Sequence, residues 1–336
     1  MEMLNTKKVV RICALAAIVL LACIACGAHA RPIGASPQAS GCGGPKAAFK
    51  HKQFTVPPFS AASPFNTKIP TNARVAPDSA QKVSHIVDVT SKQPFVVALR
   101  RWSVPVYFVR GPIAPQRVRL LASWAPRSFE IAPIPANAQP DPAGDGHMTV
   151  IDLANRCEYD FINARRDGQG WVSGWGNSLP LDGTGVYPRG LSARASGFAL
   201  LAGLIFPQEL ARGAIRHALV FSYPYTKSNA SVSPATESTG ATSDPLALPM
   251  GTLLRLNPAL DLRTLQLTPY ERIIARALQV YGMYLGDTGG GLSIFAANPL
   301  GSYTQSYTGL LPDEDYPSLA NIPLSQLQVV EPLRSR

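Results

Sequence analysis

Four titratable side chains lie close together in one short stretch of the sequence. The stretch DGHMTVIDLANRCEYDF (145–161) carries Asp145, His147, Glu158 and Asp160. Paired carboxyl groups hydrolyse glycosides when one protonates the leaving oxygen and the other attacks or activates water. A histidine can instead act as a general base, because its pKa lies near neutrality. These four residues are therefore candidate catalytic groups for cleaving a polysaccharide, either by hydrolysis or by β-elimination in a uronate polymer.

The same stretch predicts two β-strands joined by a turn at residues 153–156. Asp152 then pairs with Cys157, and side chains alternate between two faces along each strand. The register predicts three further opposed pairs: Met148 with Phe161, Val150 with Tyr159, and Thr149 with Asp160. One face is apolar and is expected to pack on the core, whereas the other face carries the candidate catalytic groups.

Two other interpretations of the polar face stay open. Alternating polar residues are typical of an antiparallel sheet with one face in solvent, which would make the hairpin an ordinary exposed ribbon. Asp145, His147 and Asp160 could also approach a metal ion, but the tight spacing of metal ligands is missing, so we expect no metal. We expect no cofactor either, because GDTGGG (286–291) follows a helix and lacks the Lys-Ser/Thr ending of a phosphate loop.

Two tryptophans in WVSGW (171–175) form a candidate substrate-binding site. On a single strand, Trp171 and Trp175 would share a face and lie roughly 13 Å apart. Exposed rings would stack against sugar rings, whereas buried rings would belong to the core. Of the other polar residues, we expect His217 to be a hydrogen-bonded core histidine and Asp287 to be a turn or capping residue, with a role in a site as the alternative for Asp287.

Many short apolar runs separated by Pro, Gly, Asn and Asp predict a mainly β protein. No fixed repeat is visible, which disfavours a propeller or a solenoid. We therefore expect an antiparallel β-sandwich of jelly-roll type, in a single domain that spans residues 61–336. A Ser/Thr-rich segment without periodicity predicts a long mobile loop at residues 224–249.

One long and one short accessory helix accompany the strands. The long helix begins at Thr268, where Glu271 completes a capping box and Pro269 occupies the first turn. We expect it to end at Gly286, which can adopt the left-handed conformation of a helix stop. The short helix is predicted from FPQELARG (206–213), with a proline early and a glycine at its end.

Residues 1–30 predict a signal peptide. Basic residues precede an apolar run, and Ala-His-Ala at 28–30 suits cleavage after Ala30. The alternatives are an uncleaved anchor and lipidation at Cys23. The apolar run is marginal for a bilayer, which takes about 20 apolar residues to span, and no later stretch is long enough. We thus expect a secreted protein without a membrane span, whose residues 31–60 form a flexible Gly/Pro-rich tail.

Cys42 and Cys157 are the two cysteines outside the predicted signal peptide. An even pair in an oxidising compartment predicts a disulfide bond. The bond would close a long loop and would stabilise the fold by about 4–5 kcal/mol on the chain-entropy model. It would also attach the predicted tail to the second strand of the hairpin.

The chain is basic: 31 Lys and Arg residues against 21 Asp and Glu residues give a net charge of +10, of which about +8 remains without residues 1–30. An exported basic protein suits acidic partners such as anionic polysaccharides or cell-envelope glycans, although the charge can also serve solubility alone. Nucleic acid is not expected as a partner, because the basic residues are scattered and no nucleic-acid motif is present. We expect a monomer.

The strand-rich, exported layout with an acidic strand resembles the jelly-roll, concanavalin-like carbohydrate-active proteins over roughly residues 80–300. Hydrolases of that group carry Glu-x-Asp-x-Glu on one strand; here EYDFIN supplies Glu158 and Asp160, and residues 162–163 replace the second glutamate. Lyases of the same shape carry Gln-x-His, and here DGHM supplies His147. The resemblance implies cleavage of an anionic polysaccharide or, alternatively, non-catalytic binding of a glycan or a structural role in the cell envelope.

Overall fold

The computed structural model describes residues 42, 54, 56–123, 125–126, 131–168, 170–303 and 305–333. The predicted signal peptide, cleavage after Ala30 and lipidation at Cys23 lie outside the described residues, as does most of the predicted tail. The described residues belong to one compact unit, Pro37–Arg336.

Within this part of the chain, strands far outnumber helices. The helices are α1 (Ser79–Thr90), α2 (Pro207–Ala211) and α3 (Pro269–Val280). The strands are β1 (Val96–Ala98), β2 (Val104–Val109), β3 (Gln116–Leu120), β4 (Ile131–Ala132), β5 (Met148–Asp152), β6 (Cys157–Ile162), β7 (Arg165–Asp167), β8 (Gly170–Ser173), β9 (Trp175–Pro180), β10 (Leu219–Tyr223), β11 (Thr226–Ser231), β12 (Leu248–Met250), β13 (Leu253–Leu256), β14 (Met283–Thr288), β15 (Ser293–Phe295), β16 (Ala297–Asn298) and β17 (Leu327–Val330).

The strands form three larger sheets and one two-stranded ribbon, β11–β12. The six-stranded sheet has the order β1-β15-β10-β14-β13-β17, the five-stranded sheet β16-β2-β5-β6-β9, and the four-stranded sheet β4-β3-β8-β7. Parallel pairs such as β2–β5 stand beside antiparallel pairs such as β5–β6. The mainly β prediction is confirmed. The antiparallel jelly-roll topology is not, because the sheets are mixed and open; alternation along a strand does not specify which strand becomes its neighbour.

Three apolar clusters lie between the stacked layers, which are the helices and the three larger sheets. The first joins the helices to one face of the six-stranded sheet, the second joins the opposite face of that sheet to the five-stranded sheet, and the third joins the five-stranded to the four-stranded sheet. Representative members are Ile86, Ile274 and Phe221 in the first cluster, Val220, Phe198 and Ile151 in the second, and Val150, Phe161 and Trp171 in the third. The five-stranded sheet is thus a middle layer with two covered faces.

The capping box of α3 is present as predicted, because Thr268 accepts from the Glu271 backbone N–H while the Glu271 carboxylate accepts from Thr268. The predicted end at Gly286 is wrong. The helix stops at Val280, and Gly282 takes the left-handed conformation with φ +73°. Gly286 lies within β14, where an added Cβ would come within 2.3 Å of Val220. The chain approaches its neighbours too closely there for any side chain.

The sequence interpretation missed α1. Its stretch SAQKVSHIVDVT contains the run IVDV, which reads as a strand, yet Val83 and Ile86 lie on one buried helical face. The predicted short helix is confirmed as α2, followed by Gly213 with φ +72°.

Segment 224–249 contains β11 and the start of β12, which pair with each other. Within the described residues, no helix is both long and apolar enough to cross a membrane.

Candidate functional site

The hairpin that carries the candidate catalytic groups forms in the predicted register. In β5 and β6, Asp152 pairs with Cys157, and all three further predicted pairs are present: Met148 with Phe161, Thr149 with Asp160, and Val150 with Tyr159. Local alternation and the turn at residues 153–156 were sufficient to specify this pairing.

The polar face of the hairpin is not a solvent-exposed ribbon, and that interpretation is wrong. Glu158 and Asp160 are 0% exposed. The five-stranded sheet is a middle layer, and its polar face is covered by segment 187–206, which packs in the second apolar cluster. A polar strand face inside a protein must satisfy its hydrogen bonds internally.

Asp160 is a fully satisfied acceptor. Its Oδ1 accepts from the Thr149 hydroxyl at 2.7 Å. Its Oδ2 accepts from the Tyr187 hydroxyl at 3.1 Å and from the Leu200 backbone N–H at 3.0 Å. Burial raises the pKa of Asp160, and these hydrogen bonds oppose that effect. Three donors around one carboxyl group favour the ionised form.

Glu158 has the opposite environment. Its Oε1 accepts from the Leu201 N–H at 2.8 Å, whereas its buried Oε2 faces no donor among the described residues. The carboxyl groups of Glu158 and Asp160 lie within hydrogen-bonding reach, and burial together with repulsion from Asp160 raises the pKa of Glu158 well above its usual value. Two ionised carboxylates cannot hydrogen-bond, so we infer that Glu158 carries a proton and donates it to Asp160.

Arg194 supplies the positive charge of the cluster. Its buried guanidinium donates to the carbonyl groups of Ala199 and Ala202 at 3.2 and 3.3 Å. Its Nε lies 4.0 Å from a carboxylate oxygen of Asp287. Burial raises the pKa of Asp287 to about 6, and the charge of Arg194 opposes that rise. Asp287 therefore lies at the edge of this cluster, while its Oδ1 accepts from the adjacent Thr288 backbone N–H at 2.9 Å.

The remaining two predicted residues lie beside this cluster. His147 is buried, and its Nε2 has no hydrogen-bond partner among the described residues. Burial, followed by the charge of Arg194, lowers the pKa of His147 to about 3, so its imidazole is neutral and only weakly basic near neutral pH. Asp145 is half-buried, and burial raises its pKa, with repulsion from Asp141 adding to the rise.

The arrangement can hold one proton between two carboxyl groups, and it keeps that proton away from solvent. A carboxyl group with a raised pKa is what a general acid needs, but no path to solvent is evident at residues that are 0% exposed. No group of three His, Cys, Asp or Glu side chains in the described part of the chain could hold a metal ion.

Sequence reasoning missed Tyr187 and Arg194, and it gave Asp287 a role in a site only as the alternative to a turn or cap. One signal was available for Arg194: it is the only charged residue in SARASGFALLAGLIF (192–206), a run too apolar to be a surface loop. No comparable signal identifies Tyr187. His217 is the predicted core histidine, since it is buried and contacts the Glu209 carboxylate at 3.2 Å and the Ala218 carbonyl at 2.9 Å.

The two candidate tryptophans do not share a strand, so the predicted single strand is wrong. Gly174 separates β8 from β9, which belong to different sheets. Trp171 and Trp175 are 3% and 7% exposed, and neither ring offers a face to solvent. The Arg166 guanidinium lies 4.7 Å from the Trp171 ring centroid. Both rings therefore contribute to the core of the protein.

The predicted disulfide bond is present. Cys42 is linked to Cys157 at the start of β6, across 115 residues of sequence. The bond attaches the chain before residue 54 to the hairpin, and it fits an oxidising compartment.

The outer face of the four-stranded sheet carries three exposed arginines, which we call the basic face: Arg117, Arg119 and Arg165. Arg119 on β3 and Arg165 on β7 both lie opposite Val172 of β8, so they share one face about 10 Å apart. Arg117 precedes Arg119 by two residues and shares that face. Asp167 pairs with Arg119 at 2.7 Å, and the other two arginines have no acidic partner among the described residues.

An open cleft of about 400 Å³ adjoins the basic face. Ile131 of β4 lines the cleft and lies directly opposite Arg117. Asp152, Asn155 and Tyr159, from the β5–β6 hairpin, line the same cleft, whereas the three arginines lie outside its lining. A mostly apolar cleft of this size with a few polar groups is typical of ligand sites.

No match was found when the chain was compared with protein-family models, with curated proteins and with solved structures.

Proposed function

We propose that this protein is exported and binds an anionic glycan, such as a uronate-containing polysaccharide or a cell-envelope polymer, without cleaving it. The basic face receives the acidic groups of the polymer. The observation that carries the proposal is the gathering of Arg117, Arg119 and Arg165 on one exposed sheet face beside an open cleft.

Charge and exposure support this proposal. The three arginines come from two parts of the sequence, and the four-stranded sheet brings them together. A guanidinium group donates two parallel hydrogen bonds to a carboxylate, which makes arginine better suited than lysine to recognise uronates. The excess positive charge of the whole chain would attract the same polymers over longer range.

Burial of the carboxyl pair supports binding over cleavage. Hydrolysis requires the acid to reach the glycosidic oxygen, and β-elimination requires a base at the sugar carbon. Glu158 and Asp160 are sealed under segment 187–206, and the neutral His147 is a weak base.

The test compares polygalacturonate with its fully methyl-esterified form, which keeps the backbone and removes the charge. Affinity electrophoresis would measure the wild type and a triple variant in which Arg117, Arg119 and Arg165 are each replaced by Gln. We expect the wild type to bind only the charged polymer, and the triple variant to bind at least tenfold more weakly, which corresponds to about 1.4 kcal/mol.

A matched control removes the same charge elsewhere. Arg212, Arg216 and Arg276 are exposed on the helical side of the six-stranded sheet. Replacing these three by Gln should change affinity less than threefold. Equal loss in both triple variants would show that only net charge matters and would contradict a defined site. New reducing ends or unsaturated uronates that disappear in Glu158→Gln would contradict binding without cleavage.

A further inference from the structure

Among the described residues, Trp102 has the exposed indole ring that the candidate substrate-binding site at Trp171 and Trp175 required. It is 46% exposed, whereas Trp171 and Trp175 are in the core. Its backbone has φ +56°, in the left-handed region. A bulky residue in this region is an outlier that persists only where its surroundings impose it. The fold therefore holds a large aromatic ring at the surface, where it lies over Gly144, at a cost in conformational energy.

A buried carboxylate imposes this conformation. Asp141 is 3% exposed and accepts from the Trp102 and Ser103 backbone N–H groups at 3.1 and 3.2 Å. It also accepts from the Ala143 N–H at 2.8 Å and from the Asn298 side-chain amide at 3.2 Å. Four donors from three parts of the chain fix the carboxylate, and the carboxylate fixes the backbone of Trp102.

Donors and acceptors lie close to Trp102 along the chain and across from it. The exposed Arg101 lies near the hydroxyl group of Tyr316, which is 38% exposed, and its charge opposes the rise that burial causes in the pKa of that hydroxyl. The Asp315 carbonyl accepts from the Leu99 and Arg100 N–H groups at 3.0 and 3.3 Å, which ties the acidic loop 313–315 beside the tryptophan. Arg101 and Tyr316 thus lie on the part of the surface that carries Trp102, since the Tyr316 hydroxyl also feels the charge of Asp141, which binds the Trp102 backbone.

The charges near Trp102 select among ligands. Loop 313–315 carries three acidic residues, whereas Arg100 and Arg101 carry two positive charges, and Arg100 already pairs with Asp313. An acidic sugar would be repelled by this loop. A neutral pyranose ring offers an apolar C–H face to the indole, and its hydroxyl groups both donate and accept hydrogen bonds.

We propose that Trp102, Arg101 and Tyr316 form a binding site for a neutral pyranose ring, which stacks on the indole. This site is separate from the basic face and does not depend on it: Trp102 precedes β2, whereas the cleft beside the basic face includes Val109 at the end of that strand. The site recognises sugar by shape and hydrogen bonding, whereas the basic face recognises charge.

The experiment titrates the protein with hexasaccharides and follows tryptophan fluorescence and heat. The probes are β-1,4-linked glucose, β-1,4-linked N-acetylglucosamine, α-1,4-linked glucose and, as the acidic counterpart, hexagalacturonate. We expect at least one neutral hexasaccharide to bind and to alter the fluorescence. Trp102→Ala and Trp102→Gly should each weaken that binding at least tenfold, and Trp102→Phe should weaken it less.

Three controls separate binding from misfolding and from the basic face. Tyr225 is an exposed aromatic residue elsewhere, at 39% exposure, so Tyr225→Ala should leave binding unchanged. Trp102→Gly relieves the left-handed backbone, so its melting temperature should equal or exceed that of the wild type while binding is lost. The basic-face triple variant should bind the neutral sugar normally. Binding by no neutral hexasaccharide, or unchanged binding in Trp102→Ala, would overturn the proposal, whatever the outcome for polygalacturonate.

Discussion

At the scale of single residues, the two buried carboxyl groups of β6 have different hydrogen-bond partners, from which we infer a proton on Glu158. Asp160 receives three donors, whereas Glu158 receives one and its second oxygen faces no donor among the described residues. We infer that two carboxyl groups, two positions apart on one strand, take opposite protonation states because of the groups around them. The sequence shows the pair but not its surroundings, since Tyr187 and the N–H groups of residues 200–201 come from a distant segment.

Amide substitutions should distinguish the two carboxyl groups. Glu158→Gln retains a donor toward Asp160 and an acceptor for Leu201 and needs no proton uptake on folding, so it should not lower the free energy of unfolding at neutral pH. Asp160→Asn turns an acceptor oxygen into a donor and removes the negative charge near Arg194, which should cost about 3 kcal/mol. Chemical denaturation at neutral pH measures both; equal effects would contradict a proton on Glu158.

The pH dependence of the unfolding free energy gives a second test of the proton on Glu158. The pKa of Glu158 is raised above its usual 4.5 in the folded protein. Its contribution to stability is thus complete below pH 4.5 and is lost as pH rises through the folded-state pKa. The difference in unfolding free energy between the wild type and Glu158→Gln should therefore fall as pH rises above 4.5. A difference that stays constant across neutral pH would be inconsistent with the shared proton.

Asp287 should titrate near pH 6. Its folded-state pKa of about 6 lies above its usual 3.8, so the folded protein retains a proton that the unfolded chain has released. The unfolding free energy of the wild type should fall, relative to Asp287→Asn, between about pH 4 and pH 6, and the difference should be level above that. Paired thermal melts across this range are sufficient, and a rise in the difference would reverse the sign and refute the assignment.

At the scale of elements, local signals were sufficient for some features and not for others. The β5–β6 register followed from alternation and a short turn, and the start of α3 followed from its capping box. The end of α3 did not: two glycines, Gly282 and Gly286, lie within reach, and the choice depends on packing against Leu254 and Ile69. The break at Gly174, which sends Trp171 and Trp175 into different sheets, likewise leaves no local mark.

Gly213 and Gly282 both have a left-handed backbone, but only Gly282 lacks room for a side chain. An added Cβ at Gly282 would lie 2.5 Å from the Leu254 carbonyl oxygen, whereas one at Gly213 would meet nothing within 4 Å. Gly213→Ala should cost only the left-handed penalty, about 1–2 kcal/mol. Gly282→Ala should lower the free energy of unfolding more than Gly213→Ala does, because the backbone that follows α3 must also move. Similar losses of melting temperature would mean that the helix exit can relax.

At the scale of the whole molecule, the stacking order of the sheets determines whether the polar face of the β5–β6 hairpin is exposed or buried. A five-stranded sheet between two others has no solvent face, so its alternating polar residues become an internal cluster. Composition predicted many strands and a core, but it could not predict which sheets stack, because that depends on contacts between distant segments. The same stacking unites Arg117 and Arg119 with Arg165, which are scattered in the sequence.

The disulfide bond acts at this scale too, because it closes a loop across 115 residues. Replacing Cys42 by Ser should lower the free energy of unfolding by about 4–5 kcal/mol on the chain-entropy model. A reducing agent should lower the stability of the wild type by a similar amount and leave the variant unchanged. A reductant effect on the variant would point to another source of the loss.

The salt dependence of polygalacturonate binding tests the central claim most directly. Each arginine that contacts a carboxylate releases counterions, so the logarithm of affinity falls with the logarithm of salt concentration in proportion to the number of contacts. We expect a slope shallower by at least about one when Arg117, Arg119 and Arg165 become Gln, and an unchanged slope when Arg212, Arg216 and Arg276 do. Identical slopes for the two triple variants, or no binding by the wild type, would contradict glycan recognition by the basic face.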